Sequence, residues 1–414
     1  MRNRRPTDTS NQGLSAPGKQ QSTSGCDAIL LVSNYSNRTG YAWRNIHQLF
    51  EEIIAFARSR GIASVVSFAE IRPPVESFTE SPPDHIIQLP PAPKNLRELQ
   101  RFLGAIRKFR IRYLYLTDHQ LVSWRYPFYR SQGVRRIIVH SRVSVPDPNP
   151  AKPDRGLRGI AKALLARLPG PGVDSVYAVS DFVRQRIIGK NRFPSHRVHT
   201  ILNGIDLEPF TFGLRASGRE TIQICTTARA TRHKGIQVLI EAARLLRDEY
   251  NCKDFRVEFA GDGPDMDYFR SLVAEAELED RFIFLGEIKN PYGLLEASDI
   301  VVVPSVWGDA CPSAVAEGLA SGRALIATRV GGVPEQVGNE ENAVLVPPND
   351  ARRLATALAD LVRDPGTRAR MGRDGRSRAL SALAQGPYHE AVLERLEADL
   401  GLASFSDRRA QCNA

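Results

Sequence analysis

Residues 299–332 read DIVVVPSVWGDACPSAVAEGLASGRALIATRVGG. An apolar β-branched run comes first, then a turn-rich loop carrying Asp309, a small-residue stretch carrying Glu317, and a second apolar run. Runs that are apolar at successive positions suit strands covered on both faces, and the stretch between them suits a helix. Pro312 fits the first helical position, where a missing N–H costs nothing, so the helix is expected to start just after Asp309. At about 3.6 residues per turn, one acid then stands at the helix mouth and the other about a turn inside. The mouth presents unbonded N–H groups and the positive dipole end, which suits an anionic ligand.

The same alternation extends outward in both directions. Strand-length apolar runs occur at 29–33, 64–68, 113–116, 136–140, 175–180 and 199–204, with helix-like stretches such as 46–61 and 159–168 between them. A second series follows at 221–228, 256–261, 281–286, 299–305, 323–330 and 343–348, separated by helices over 235–250, 267–278 and 313–322. The fold class is therefore α/β, with two doubly wound Rossmann-like parallel-sheet domains facing across a cleft and ligands at the carboxyl ends of the strands. Residues 1–26 read as a disordered basic leader, 27–205 as the first domain and 206–384 as the second. A helix over 385–403 is expected to pack back on the first domain, and 404–414 to form a loose tail. The seam falls near 205–220, where IDLEPFTFGLRASGRE mixes Pro, Gly and charge.

At 414 residues, with 42% hydrophobic and 25% charged, the chain has the composition of a globular protein with more than one core. Its cysteines, Cys26, Cys225, Cys252, Cys311 and Cys412, are scattered and odd in number, which fits a reducing cytoplasmic setting better than a disulfide framework. No apolar run approaches the roughly 20 residues that span a bilayer. The net charge is +10, and basic residues cluster in 101–116 and 124–136, the second interleaved with aromatics. Such charge suits an anionic membrane surface or an anionic substrate. Nucleic acid is not expected as a partner, because no helix-turn-helix, zinc-finger or RNP-type signature accompanies it.

Arg229 and Lys234 follow the strand TIQICTTA and precede a helix, where a guanidinium and an ammonium together neutralise a diphosphate. FAGDGP (259–264) lacks the third glycine of a dinucleotide fingerprint. Asp265-Met266-Asp267 could hold a cation, but a helix cap is preferred because no further oxygen ligands cluster there; no metal is expected. His140 ends the strand RIIVH and suits either a structural or a catalytic role. Gly40, after the loop NYSNRT, suits a turn or a close backbone approach to a ligand. Cys311 is expected to be a buried thiol rather than a nucleophile.

ILNGID (201–206), ARATRHKG (228–235), FAGDGP (259–264), FIFLGEI (282–288), PSVWGDACPSAVAEGLASG (304–322), GGVPE (331–335) and AVLVPPND (343–350) together resemble the retaining glycosyltransferases of family 4, which have the GT-B fold. The first half matches more weakly, through the Gly40 loop, IIVHS (137–141) and YAVSDFVRQRI (177–187). The resemblance implies transfer of a sugar from a UDP- or GDP-linked donor to a glycan, glycolipid or lipid-linked acceptor in polysaccharide or glycoconjugate biosynthesis. It makes 27–205 the acceptor side and 206–384 the donor side. Asp309 would contact sugar hydroxyls and Glu317 the ribose, while Arg229 and Lys234 hold the diphosphate. The backbone of Ala310, Cys311 and Ser313 would cradle phosphate or sugar, and Ile288 would lie at the base. Gly40 would approach the donor phosphates, and His140 would stand near the reaction centre. No cofactor is implied, since the nucleotide sugar is a co-substrate.

This sequence departs from the family pattern in having Asp309 for Glu, Cys311-Pro312 for Phe-Gly, and Thr39-Gly40 for Gly-Gly. The first and last departures point to a different donor sugar or reduced activity. The alternatives on the same fold are a nucleotide-sugar epimerase and a degenerate member that binds without turnover. The expected location is the cytoplasm, with peripheral attachment to an anionic membrane through the basic first domain.

Overall fold

A computed structural model describes residues 26–34, 40–71, 78, 80–146, 156–168, 170–210 and 221–402. The proposed leader up to residue 25, most of the seam (211–220) and the tail from 403 lie outside them. Seven strands make the first sheet: β1 (Ala28–Ser33), β2 (Ala63–Phe68), β3 (His85–Gln88), β4 (Ile111–Thr117), β5 (Arg136–Ser141), β6 (Ser175–Ala178) and β7 (Val198–Thr200). Their spatial order is β3-β2-β1-β4-β5-β6-β7, and the pairs β1–β2, β2–β3, β1–β4 and β6–β7 are parallel. Helices α1 (Gly40–Ser59), α2 (Leu96–Lys108), α3 (Tyr126–Ser131), α4 (Leu157–Leu165) and α5 (Asp181–Gly189) connect them. Gly61, with φ of 68°, closes the turn after α1, as a left-handed glycine beyond a helix end does. β3 escaped the sequence reading because a four-residue, half-exposed edge strand has too little apolar pattern to announce itself.

The second sheet has six strands: β8 (Ile222–Thr227), β9 (Phe255–Ala260), β10 (Phe282–Gly286), β11 (Ile300–Val303), β12 (Ala324–Thr328) and β13 (Val344–Val346). The order β10-β9-β8-β11-β12-β13 is doubly wound and reverses between β8 and β11. α6 (Ile236–Asp248), α7 (Met266–Glu275), α8 (Tyr292–Ala297), α9 (Ser313–Ala320), α10 (Val333–Val337) and α11 (Ala351–Arg363) belong to this half. α12 (Pro365–Ala382) and α13 (Gln385–Leu400) follow. Strand residues alternate between two buried clusters. Ile224, Val257, Val302 and Ile326 pack with α6, α7 and α11, and Cys225, Val301, Leu325 and Ala327 with α9 and α10. The central strands β11 and β12 are therefore dry on both faces, while the edge strands β10 and β13 are partly exposed.

The chain divides into two compact units, Met1–Val139 and His140–Ala414, upstream of the seam expected at 205–220. The second unit extends that far because residues after His140 bond into it. Val145 bridges Gly308, Ile205 N–H donates to Leu383 carbonyl (2.8 Å), and Tyr177 donates to Asp399 of α13 (2.8 Å). α13 thus packs on the strand ends β5 and β6, where Arg142 also donates to Tyr388 (3.0 Å).

Candidate active site

The reversal between β8 and β11 decides where chemistry gathers, because the loops leaving these neighbouring strands turn opposite ways and open a crevice. From β8 the chain runs to a single 3₁₀ turn, Arg232–Lys234, ended by Gly235 at φ 75°. A Cβ on Gly235 would stand 1.8 Å from the carbonyl oxygen of Pro304, so only glycine lets the two loops touch. Val306 N–H donates to His233 carbonyl (2.9 Å), and the Trp307 ring stacks on His233 at 4.5 Å. Burial, with the charge of Lys234 second, holds the His233 imidazole below its ordinary range.

This docking delivers Lys234 to Asp309. The ammonium donates to Oδ2 at 2.6 Å; Ser305 donates to the same oxygen (2.9 Å) and Ser144 to Oδ1 (2.8 Å). Asp309 is only 5% exposed. Burial pushes its carboxyl up, yet the Lys234 charge and the bonds from Lys234, Ser144 and Ser305 hold it below the usual carboxylate range. Ser305 is itself fixed, its carbonyl accepting from Thr328 Oγ1 (2.5 Å) at the end of β12. The Asp309 backbone is held by the two glycines of GGVPE. Gly332 N–H donates to its carbonyl (2.8 Å), and Cβ atoms on Gly331 and Gly332 would lie 1.9 Å from Asp309 O and 2.2 Å from Ala310 O.

The helix of the opening stretch is α9, and it starts one residue later than expected. Pro312 has extended backbone (φ −68°, ψ 127°) and caps the helix, with Ser313 first inside. Glu317 is buried in α9 at 3% exposure. The amides expected to face a ligand are reduced by one, because Ala310 N–H donates to Ser144 Oγ (3.2 Å). Cys311 is half-buried, and burial pushes its thiol up to about 12, as an unreactive cysteine requires. Arg229 is exposed on the β8 loop, and Ile288 is half-buried just after β10.

Loop 259–264 explains its own glycines. Ala230 N–H donates to Asp262 carbonyl (2.9 Å), and Cβ atoms on Gly261 and Gly263 would collide with the carbonyls of Ala228 and Ala230. Close loop packing, rather than a dinucleotide, accounts for G-x-G here. Asp265 occupies the cap position of α7 but spends its carboxylate on Arg232 N–H (2.9 Å), and Asp267 is exposed beside Arg270.

His140 is fully buried, its ring 6.1 Å from that of Tyr177 and 6.3 Å from that of Tyr388. Burial and then Arg142 hold its imidazole well below the ordinary value, so it is neutral. Gly40 opens α1; the loop 35–39 before it, including Thr39, lies outside the described residues. Two participants were missed from sequence. Ser144 had only its place just beyond a strand end to mark it. Glu335 accepts the N–H groups of Asp181 (2.5 Å) and Phe182 (2.8 Å) at the amino end of α5, and its only sign was the acid closing GGVPE.

Two family models tile the chain: Glycosyltransferase Family 4 over residues 46–209 and Glycosyl transferases group 1 over 215–378. The chain belongs to glycosyltransferase family 4. This family-4 chain is 33% identical over 207 residues to the D-inositol 3-phosphate glycosyltransferase of Pseudarthrobacter chlorophenolicus, covering 46% of this chain and 49% of the relative. It is 31% identical over 196 residues to the putative colanic acid biosynthesis glycosyltransferase WcaL of Escherichia coli, covering 45% and 47%. The matches thus span about half the length of these relatives. Among solved structures, HepE of Anabaena in complex with UDP superposes with a TM-score of 0.70 at 17% identity, covering 90% of this chain and 100% of that one. The same protein with UDP-glucose gives 0.68 at 17%, covering 90% and 99%. The fold is GT-B.

Proposed function

We propose that this protein is a retaining, metal-independent glycosyltransferase that moves a sugar from a UDP- or GDP-linked donor to a glycan, glycolipid or lipid-linked acceptor in polysaccharide or glycoconjugate biosynthesis. The observation that carries the reading is the Lys234–Asp309 pair at the sheet reversal, close in sequence to the amino end of α9. The relatives named for sugar transfer, and the UDP and UDP-glucose held by HepE, support the donor class. In this reading the bond from the anomeric carbon to the diphosphate oxygen breaks and its electron pair leaves with the diphosphate. Lys234, Arg229 and the amides of Cys311 and Ser313 stabilise the charge that develops there. Glu317 holds the ribose and Ile288 the base. The acceptor oxygen forms its new bond on the same face and passes its proton to the departing phosphate, so no protein base is required. His140, being neutral, serves as a hydrogen-bonding group. The protein works in the cytoplasm, with peripheral attachment to an anionic membrane.

Incubation with nucleotide sugars and candidate acceptors, followed by measurement of nucleotide release, tests the proposal. Acceptor-dependent release is expected. Epimer formation without acceptor would move the assignment to the epimerase reading. Tight donor binding with neither outcome would make the chain a binder, a reading favoured by the engagement of both Asp309 oxygens.

A further inference from the structure

A helix on a protein surface normally turns its large apolar side chains inward. α4 does the reverse. Among the described residues its buried positions are the small ones, Gly159, Ala163 and, just past its end, Ala166. Ile160 (39% exposed), Leu164 (61%), Leu165 (41%) and Leu168 (52%) point to solvent. The spacing i, i+4, i+5 puts Ile160, Leu164 and Leu165 on one face of α4, Leu168 is exposed just past its end, and exposed Lys162 and Arg167 flank them. No core requirement explains this distribution, because the inward face is already filled by small residues.

Arg167 also lines a cavity of about 650 Å³ together with Arg192, Phe193, Ser195, His196 and Arg197, and among the described residues no Asp or Glu lines it. The guanidiniums of Arg167 and Arg197 are held in place by neutral carbonyls. Arg167 Nη1 donates to Ala163 O (2.7 Å) and Arg192 O (3.4 Å), and Arg197 Nη1 to Ala166 O (3.3 Å) and Val173 O (3.4 Å). Such bonds orient the cations without cancelling their charge. An outward apolar helix face and a cavity whose described lining is basic, joined through Arg167, form a two-part recognition surface. Acyl chains suit one part and a phosphate the other. The basic stretch of residues 101–136 is a weaker candidate, because Arg110, Arg112 and Arg135 surround Asp27 at 3.7, 3.6 and 3.0 Å.

We propose that the α4 face and the Arg167–Arg192–Arg197 cavity dock the protein on an anionic phospholipid bilayer, α4 lying in the interface and a headgroup phosphate entering the cavity. This deepens the peripheral attachment named above and rests on it for location alone. The test is flotation of the full chain with phosphatidylcholine vesicles, with or without phosphatidylglycerol. UDP binding and far-ultraviolet circular dichroism, measured on each variant, report site and fold separately.

Wild type is expected to float with phosphatidylglycerol vesicles at low salt, to release as salt rises, and not to bind phosphatidylcholine alone. Leu164→Gln with Leu168→Gln is expected to weaken binding on the order of tenfold. Arg192→Asn with His196→Gln should weaken it roughly fivefold; Asn tolerates the positive φ of position 192. UDP affinity should not change in either. Absence of flotation at low salt, equal binding to neutral vesicles, or folded variants that bind like wild type would each overturn the proposal. Saturable binding of inorganic phosphate with no vesicle binding would overturn it too, making the cavity a free-anion site. Loss of nucleotide release with vesicle binding intact would count against the transferase reading and leave the docking site standing.

Discussion

A carboxylate nearly out of water is stable only if its oxygens are occupied and a cation stands close. Asp309 meets both conditions through residues brought from three loops. Ser144 is the most informative of them, because its hydroxyl donates to Asp309 and accepts from Ala310 N–H. Ser144→Ala is expected to cost about 1–3 kcal/mol in unfolding free energy, measured by denaturant titration, and to lower kcat/KM. Unchanged values for both would remove Ser144 from the site. Lys234→Ala is expected to abolish nucleotide release and to change the pH dependence of stability. In wild type the Asp309 carboxyl lies below the usual range, so its contribution is complete above that range and lost as pH falls through the lower folded value. Without the ammonium, burial acts with less opposition and the folded carboxyl rises. Should it pass its unfolded value, stability falls as pH rises through it, and thermal midpoints across the acid range would record the reversed slope. The structure brings the side chains of Lys234 and Asp309 together, and their strand-end positions were legible in sequence. Ser144 was not, since its partner lies 165 positions away and a lone serine carries no pattern.

At the level of elements, the strands other than β3 and several of the helices between them were readable from apolar periodicity, whereas the contacts that lock loops together were not. Gly331 and Gly332 illustrate the difference. A glycine pair announces a turn, but not that the turn lies against the Asp309 carbonyl. Gly332→Ala is predicted to displace the Asp309 loop, costing about 1–3 kcal/mol and reducing donor affinity; calorimetric titration with UDP reads the second effect. Glu335 works on an element too, since it satisfies two amides at the start of α5. Burial pushes its carboxyl up, against the bonds from those amides. Glu335→Ala should lower stability by about 0.5–2 kcal/mol, the usual loss for a helix deprived of its capping acceptor. Hydrogen exchange should quicken first at Asp181 and Phe182. Faster exchange elsewhere with these amides still protected would contradict that role.

Across the whole molecule, two buried imidazoles make stability depend on pH. Burial, then Arg142, pushes His389 down to about 4, and the same causes hold His140 well below its ordinary range. Both gain protons on unfolding once pH drops below about 6.5, so stability is lost as pH falls from there. The slope approaches about 1.4 kcal/mol per pH unit for each group. Denaturant midpoints at neutral and mildly acidic pH should show the loss, and His389→Gln should shrink it. An identical profile in that variant would exclude His389 as a source. The two-sheet architecture was legible because each half repeats strand and helix. The division at Val139/His140 was not, because it depends on bonds such as Tyr177 to Asp399 that no local pattern encodes.

The Lys234 ammonium bonds Asp309 at 2.6 Å, so an anion that engages the lysine has to exchange partners with that carboxylate. A diphosphate that draws the lysine away strips a buried carboxylate of its counter-charge. Inorganic phosphate or a bare nucleotide offers nothing in return, whereas sugar hydroxyls can donate to the abandoned oxygen. On the proposed reading, a nucleotide sugar that brings a diphosphate to Lys234 and hydroxyls to Asp309 satisfies both groups at once, so the pair itself would rank the complete donor above its fragments.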